Sequence, residues 1–121
     1  MTQAAKSILV FGIYLAAVGV VIVLAPNVLL LLLGLPGTNE VWIRVVGVLT
    51  LFLAFFFIQA ARQNVTEFFR WTVYVRSVFI LFLAAFVLFG LAGPTLILFG
   101  VIDLLGAIWT GLALRSAAKG A

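Results

Sequence analysis

Only three residues of the chain carry a carboxylate, Glu40, Glu67 and Asp103, and Asp103 stands where an ionisable group is most expensive. It lies nine residues beyond Pro94 and twelve before Arg115, in an otherwise apolar run. At about 1.5 Å of rise per residue, a helix crossing a bilayer here carries Asp103 near the middle. A charge at that depth costs about 2.5 to 3.5 kcal/mol and needs a partner, a proton or a ligand. Arg76 and Arg44 enter their own apolar runs from opposite ends and come within roughly 8 Å of the depth of Asp103, inside the reach of an extended arginine. The three define an expected buried ionic cluster, or a grip for a ligand head group. Tyr14, Thr50, Tyr74, Ser77 and Thr110 are the hydroxyls that could support it. Each arginine has a plainer alternative, snorkelling to its nearer interface. Asp103 has one too, as a satisfied packing carboxylate without chemistry.

The chain has no Cys and no His. Thiolate or imidazole metal sites, disulfides, c-type haem attachment and histidine-based catalysis are therefore excluded within it. We expect no metal site, no catalytic residue and no intrinsic cofactor, with a bound lipid, quinone or pigment as the conceivable additions.

These residues need elements to hold them, and composition decides which. Of the 121 residues, 67% are hydrophobic and 8% charged, with a mean hydropathy of +1.42. Ten charged side chains do not cover a water-facing surface, so the solvent for most of the chain is lipid. A transmembrane helix needs about 20 apolar residues. Four stretches qualify, at about 7–25, 41–61, 71–91 and 95–114. Open strand edges are not tolerated in lipid, so all four are expected as helices. The expected fold is an all-α membrane protein, one domain over 1–121 with four transmembrane helices in an antiparallel bundle. The segment 26–37, PNVLLLLLGLPG, is too short to span and too apolar for water; it is expected as an interfacial or re-entrant piece between the first two spans. Cleavage of the first span as a signal peptide is disfavoured by its length and by Pro26 beside the only plausible cut.

Five of the seven basic residues, Lys6, Arg62, Arg70, Arg115 and Lys119, flank the termini and the middle loop, and the other two loops hold none. The positive-inside rule then predicts a multi-pass membrane protein with both termini cytoplasmic. Dispersed basic residues argue against nucleic acid as a partner. Asn64-Val65-Thr66 has the form of a glycosylation acceptor, but a cytoplasmic loop makes Asn64 or Thr66 a helix N-cap instead, with Glu67 in the favoured first turn. Trp42 and Trp71 are expected at the two interfaces.

Helical spacing gives each span a face. Gly100, Asp103, Gly106, Ala107 and Thr110 share one side of the fourth span, and Gly111 completes a small-xxx-small pair with Ala107. The first span has Gly12, Ala16 and Gly19. The second has Arg44, Gly47, Leu51, Phe55, Ile58 and Arg62, and the third has Arg76, Ile80, Leu83, Val87 and Gly90. A weak echo at an offset of 68 pairs Leu15-Ala16-Ala17 with Leu83-Ala84-Ala85 and Pro26 with Pro94, as a two-plus-two repeat would. The twelve Phe are read first as lipid-facing and packing residues, and second as the wall of a lipophile pocket.

The succession of Pro26, Gly34-Leu35-Pro36, Arg44-Val45-Val46-Gly47, Ala60-Ala61-Arg62, Arg76 and Asp103-Leu104-Leu105-Gly106-Ala107 resembles the small four-span bacterial inner-membrane proteins around the DoxX-like families. The resemblance covers most of the chain with loose motifs. It implies the four-span fold and a location in a bacterial inner membrane, and it makes a place beside a quinone-linked oxidoreductase conceivable. Those families tend to carry an acidic residue in the second span, and this chain has none there.

The function expected first is a non-catalytic accessory or scaffold subunit packed against a larger membrane complex or a second copy of itself. A binder of a lipophilic small molecule (quinone, isoprenoid, pigment or lipid) comes second, and a proton- or ion-coupled carrier acting as an oligomer third. A stand-alone enzyme comes last, because Asp103 would be its sole intramembrane acid or base.

Overall fold

The structure is a computed structural model; it describes the backbone of residues 1–120 and the side chains of 1–117. Lys119, counted above among the basic residues, lies outside the described side chains. Helix α1 runs Gln3–Leu24, α2 Pro26–Leu32, α3 Val41–Arg62, α4 Thr66–Leu88 and α5 Ile97–Gly120, with a 3-10 turn at Pro94–Leu96 leading into α5. Four of these, all but α2, are long and apolar enough to cross a membrane, and they pack as an all-α four-helix membrane bundle.

Local chemistry sets the boundaries. Thr2 caps α1 by accepting a hydrogen bond from the Ala5 amide at 3.0 Å. Pro26 ends α1 because it has no N–H to continue the ladder, and it then serves as the first residue of α2. Three helices end alike. Leu35 N–H donates to Leu30 and Gly34 N–H to Leu31; Val65 to Ala60 and Asn64 to Ala61; Leu91 to Phe86 and Gly90 to Val87. These are Schellman closures, and each puts one residue at positive φ: Gly34 (71°), Asn64 (52°) and Gly90 (75°).

That closure corrects two expectations. Asn64 is the left-handed residue ending α3, and Val65 takes the N-cap place of α4 without a side-chain cap, so neither Asn64 nor Thr66 is the cap. The third spanning helix accordingly begins at Thr66, ahead of the expected Trp71, and ends at Leu88, because Gly90 turns the chain. Glu67 does sit in the first turn, where it pairs with Arg70. The 26–37 segment holds the short helix α2, tied to the last hairpin by the Thr95 hydroxyl donating to the Leu33 carbonyl.

Packing follows the small residues. Helix α1 lies most extensively on α3, where Gly12 meets Ile58 and Phe57, and Gly19 meets Leu51 and the Gly47 carbonyl. Helix α5 lies on α4, with Gly100 against the backbone and side chain of Ile80, and also on α1. The buried residues of α3 are Gly47, Ala54, Phe57, Ala60 and Ala61; of the expected stripe Gly47, Leu51 and Ile58 do pack on α1, while Arg44, Phe55 and Arg62 are exposed. The hydrophobic core, Ala4, Ala5, Ile8, Phe11, Phe57, Ala60, Ala61 and Phe69, gathers where the N-terminus meets the α3–α4 turn. At this terminal end α3 touches α4 through Phe57 and Phe68, with ring centroids 5.3 Å apart. The most extensive packing is within an α1–α3 pair and an α4–α5 pair, which meet chiefly through α1 and α5, and α3 and α4 scarcely touch.

A methyl at Gly100 would come 2.8 Å from Ile80 Cγ1 and 3.0 Å from Ile80 Cα, whereas one at Gly111 meets only Val73 at 3.8 Å. We therefore expect Gly100→Ala to cost about 1–3 kcal/mol by overpacking and Gly111→Ala to be near neutral, read by reversible unfolding in mixed micelles. Equal effects would contradict the assigned α4–α5 contact.

Candidate functional site

The polar centre of the bundle is built around Arg76, ten residues into α4 and 2% exposed. Helical side chains lean toward their own N-terminus, so this guanidinium reaches back toward the terminal end. There its Nε donates to the Thr72 carbonyl at 3.3 Å, and its Nη2 donates to the hydroxyls of Thr72 at 3.1 Å and Thr110 at 2.8 Å. Thr110, fully buried on α5, shares a 2.6 Å hydrogen bond with Ser7 of α1, whose hydroxyl reaches the Ala4 carbonyl at 2.7 Å. The cation also sits over two aromatic faces, Phe11 of α1 at 4.7 Å and Phe57 of α3 at 5.9 Å from Cζ to centroid. Contacts of this kind are worth about 0.5 to 2 kcal/mol each. One side chain thus touches all four spanning helices.

Its inventory is nevertheless incomplete. Arg76 Nη1 is fully buried and has no hydrogen-bond partner. It lies against Gly106, where a Cβ would come within 3.1 Å of it. Arginine carries five donors and cannot lose its charge, so a buried Nη1 left open in a lipid-embedded bundle is costly.

Asp103 is close without closing this gap. Ser7 faces Thr110 and Phe11 faces Gly106, so the antiparallel register of α1 and α5 sets Tyr14 opposite Asp103. The carboxylate stands one helical turn from Gly106, the residue that Arg76 Nη1 lies against. It forms no salt bridge: among the described residues the one ion pair is Arg70 with Glu67. The reason is directional. Because α4 and α5 are antiparallel, Arg76 leans toward the terminal end while Asp103 leans away from it. Asp103 is half-buried and makes no hydrogen bond, and its oxygens are not enclosed.

Arg44 does not join this interior. It is exposed and donates to the Val23 carbonyl at the end of α1. Pro26 disrupts the ladder there, so α1 ends with free carbonyls, and a cation is favoured at such a terminus. The expected three-residue cluster is therefore a two-residue one, with Arg44 serving as a cap on α1. Of the supporting hydroxyls, Thr110 is a direct partner and Tyr14 flanks Asp103. Thr50 bonds its own helix at Val46, Ser77 is half-buried outside these hydrogen bonds, and Tyr74 is 70% exposed on the outer surface. Gly100, Gly106 and Ala107 do line the packed face of α5, and Gly111 is only loosely engaged. Sequence reasoning missed Ser7, Thr72, Phe11 and Phe57. Thr72 could have been found, since it precedes Arg76 by one helical turn.

Beside this centre runs the seam between α3 and α4. Phe68, Val75, Phe79, Phe82 and Phe86 share one stripe of α4, the one that meets Phe57; the matching stripe of α3 is Val46, Thr50, Leu53 and Phe57. Beyond the Phe57–Phe68 contact the apolar members of both stripes stay exposed. A separate recess of about 580 Å³ lies at the terminal end, lined by Thr2, Gln3, Asn64, Trp109 and neighbours, away from Arg76. No family model matches the chain, and no curated protein or solved structure matches it.

Removing the hydroxyl that accepts from Arg76 and bonds to Ser7 tests the network. Thr110→Val should lower stability by about 1–3 kcal/mol in mixed-micelle unfolding, while Thr110→Ser, which keeps the hydroxyl, should lower it far less. Equal losses would assign Thr110 to packing alone.

Proposed function

We propose that the protein is a membrane-embedded binder of a lipophilic molecule, whose polar end meets Arg76 and Asp103 and whose apolar body lies in the α3–α4 seam. The observation that carries this reading is the open Nη1 of a 98% buried arginine, beside a carboxylate that does not reach it. A structural ion pair would satisfy both groups, whereas this arrangement leaves a buried donor open and a half-buried carboxylate without a hydrogen bond. A few polar groups within an apolar lining are the usual plan of a small-molecule site. Extraction of the membrane directly into polymer-bounded discs, followed by lipid analysis, should recover one species enriched well above its share of the bulk membrane, at about one per chain. A recovered composition equal to the bulk would sink the idea.

A second reading is compatible with the first and rests on its own observation. Phe52, Phe55 and Phe56 cover the outward face of α3, all exposed, with Phe55 and Phe56 edge-to-face at 5.9 Å. Buried residues make up 17% of the apolar windows of α3, α4 and α5, against 33% for α1. The protein on this reading is an accessory subunit whose α3 face packs on other membrane helices. Mild-detergent purification should then recover stoichiometric partner chains or a homo-oligomer; repeated recovery of the monomer alone speaks against it.

We propose that both termini are cytoplasmic, from the clustering of basic residues at that end, and that the membrane is a bacterial inner membrane, as the resemblance to the DoxX-like families implies. The chain has no native cysteine, so single-cysteine probes are clean. Glu40→Cys should react with an impermeant maleimide in intact spheroplasts, and Gln63→Cys only after permeabilisation; the reverse pattern overturns the orientation.

A further inference from the structure

The terminal end of the bundle carries two recesses that meet. One, of about 580 Å³, lies beside α5 and is lined by Gln3, Thr66, Trp109, Leu112 and Ala113 among others; the other, of about 360 Å³, is lined by Ala5, Ala61 and Arg62. Thr2 and Asn64 line both, and the Thr2 hydroxyl donates to Asn64 Oδ1 at 3.1 Å, so this pair is the ridge where they join. We infer that the two recesses form one site for an anionic phospholipid, its phosphate held at Arg62 and Asn64 and the start of an acyl chain lying beside Trp109. This site is separate from Arg76 and does not rest on the lipophile-binding reading.

The free donors decide the charge of the occupant. Thr2 is spent, because its hydroxyl accepts from the Ala5 amide as well as donating to Asn64. That bond uses the oxygen of the Asn64 carboxamide and leaves its NH2 as the free end. The backbone beneath it is held, since Asn64 is the left-handed residue (φ 52°) that closes α3. Arg62 is exposed and donates only to Gln59, at a long 3.4 Å, so most of its five donors are free. Lys6 lies one turn beyond Thr2 on the same exposed face of α1. Neither lining contains a carboxylate, and Glu67, the acidic side chain at this end among the described residues, is paired with Arg70. Cations and free N–H groups without a competing acid suit a phosphate. The larger recess suits what the phosphate carries. It follows α5 for about 10 Å, from Ser116 to Trp109. Over that length the lining passes from small and polar residues to Leu112 and an indole that is 41% exposed, the change from head group to hydrocarbon at a membrane interface.

Native mass spectrometry of the full-length protein in micelles, with dilauroyl lipids that differ only in head group, counts what each chain retains. The wild type should hold one phosphatidylglycerol about tenfold tighter than phosphatidylcholine, as expected for charge-assisted hydrogen bonds to a lipid of net negative charge. Arg62→Gln should lose that preference, and Asn64→Gly, which keeps the left-handed turn, should weaken it severalfold. Arg115 provides the control: it follows Gly111, which faces Val73, by one turn, and so lies on the α4 flank of α5 and in neither lining. Arg115→Gln removes an equal charge from the same end and should change retention far less. An equal loss with Arg115→Gln and Arg62→Gln would assign the attraction to the basic end as a whole and overturn the site, as would phosphatidylcholine held as tightly as phosphatidylglycerol. Excess glycerol phosphate should not displace the lipid; displacement would show that the apolar recess holds nothing and overturn a lipid as the occupant. All of these outcomes leave the Arg76 reading to its own test.

Discussion

The bundle is organised by one guanidinium that has nowhere to go. Arg76 is locked in α4 about halfway along, too deep for its head to leave the protein without breaking the contacts that surround it. Each of the other three spanning helices supplies something to keep it there: Thr110 from α5, the Phe11 face from α1 and the Phe57 face from α3. Hydrogen bonds and aromatic faces are worth more in a medium that cannot compete with them, and a cation excluded from water needs them all. The hydrophobic effect offers no comparable drive between helices already in lipid, so close packing and these polar links fix which helix neighbours which.

The shape of the molecule follows from where that tie-point lies. Core residues crowd the half of the bundle that Arg76 reaches toward, with Ala4, Ala5, Ala60 and Ala61 letting backbones approach. At the opposite end the link is the Thr95 hydroxyl on the Leu33 carbonyl, outside the spanning helices. There α1 holds α3 through Gly19 and Gly47, α4 holds α5 through Ile80 and Gly100, and the α3–α4 seam stays open.

Much of this is legible in the sequence, and the losses have physical causes. Four apolar stretches of spanning length gave the fold, because in lipid the backbone has no alternative to helix. The stripes of α4 and α5 were legible from their small and polar residues, including Arg76, Asp103 and Thr110. Depth along the axis was legible as well, but depth does not fix direction. Counting rise brought Arg76, Arg44 and Asp103 to similar levels and did not register that side chains on antiparallel helices lean apart, or that α1 would end at Pro26 with carbonyls in need of a cation. The stripe of α3 is legible only in part, with Gly47, Leu51 and Ile58 on α1 but Phe55 outward and Phe57 inward, because Phe is equally at home in a core and in lipid. Ser7 and Thr72 were overlooked because single hydroxyls in a helix usually bond their own backbone; both do that here, and both also join the network.

The central claim is that Arg76 is held by Thr110 and the aromatic faces and is not neutralised by direct contact with Asp103. A double-mutant cycle on Arg76→Met and Asp103→Asn, set beside one on Arg76→Met and Thr110→Val, measures it most directly in lipid-stripped protein. The account predicts the larger coupling for Arg76 with Thr110, and a coupling below about 1 kcal/mol for Arg76 with Asp103. A coupling of about 3 kcal/mol or more between Arg76 and Asp103, of the size found when a buried ion pair is broken, would contradict it.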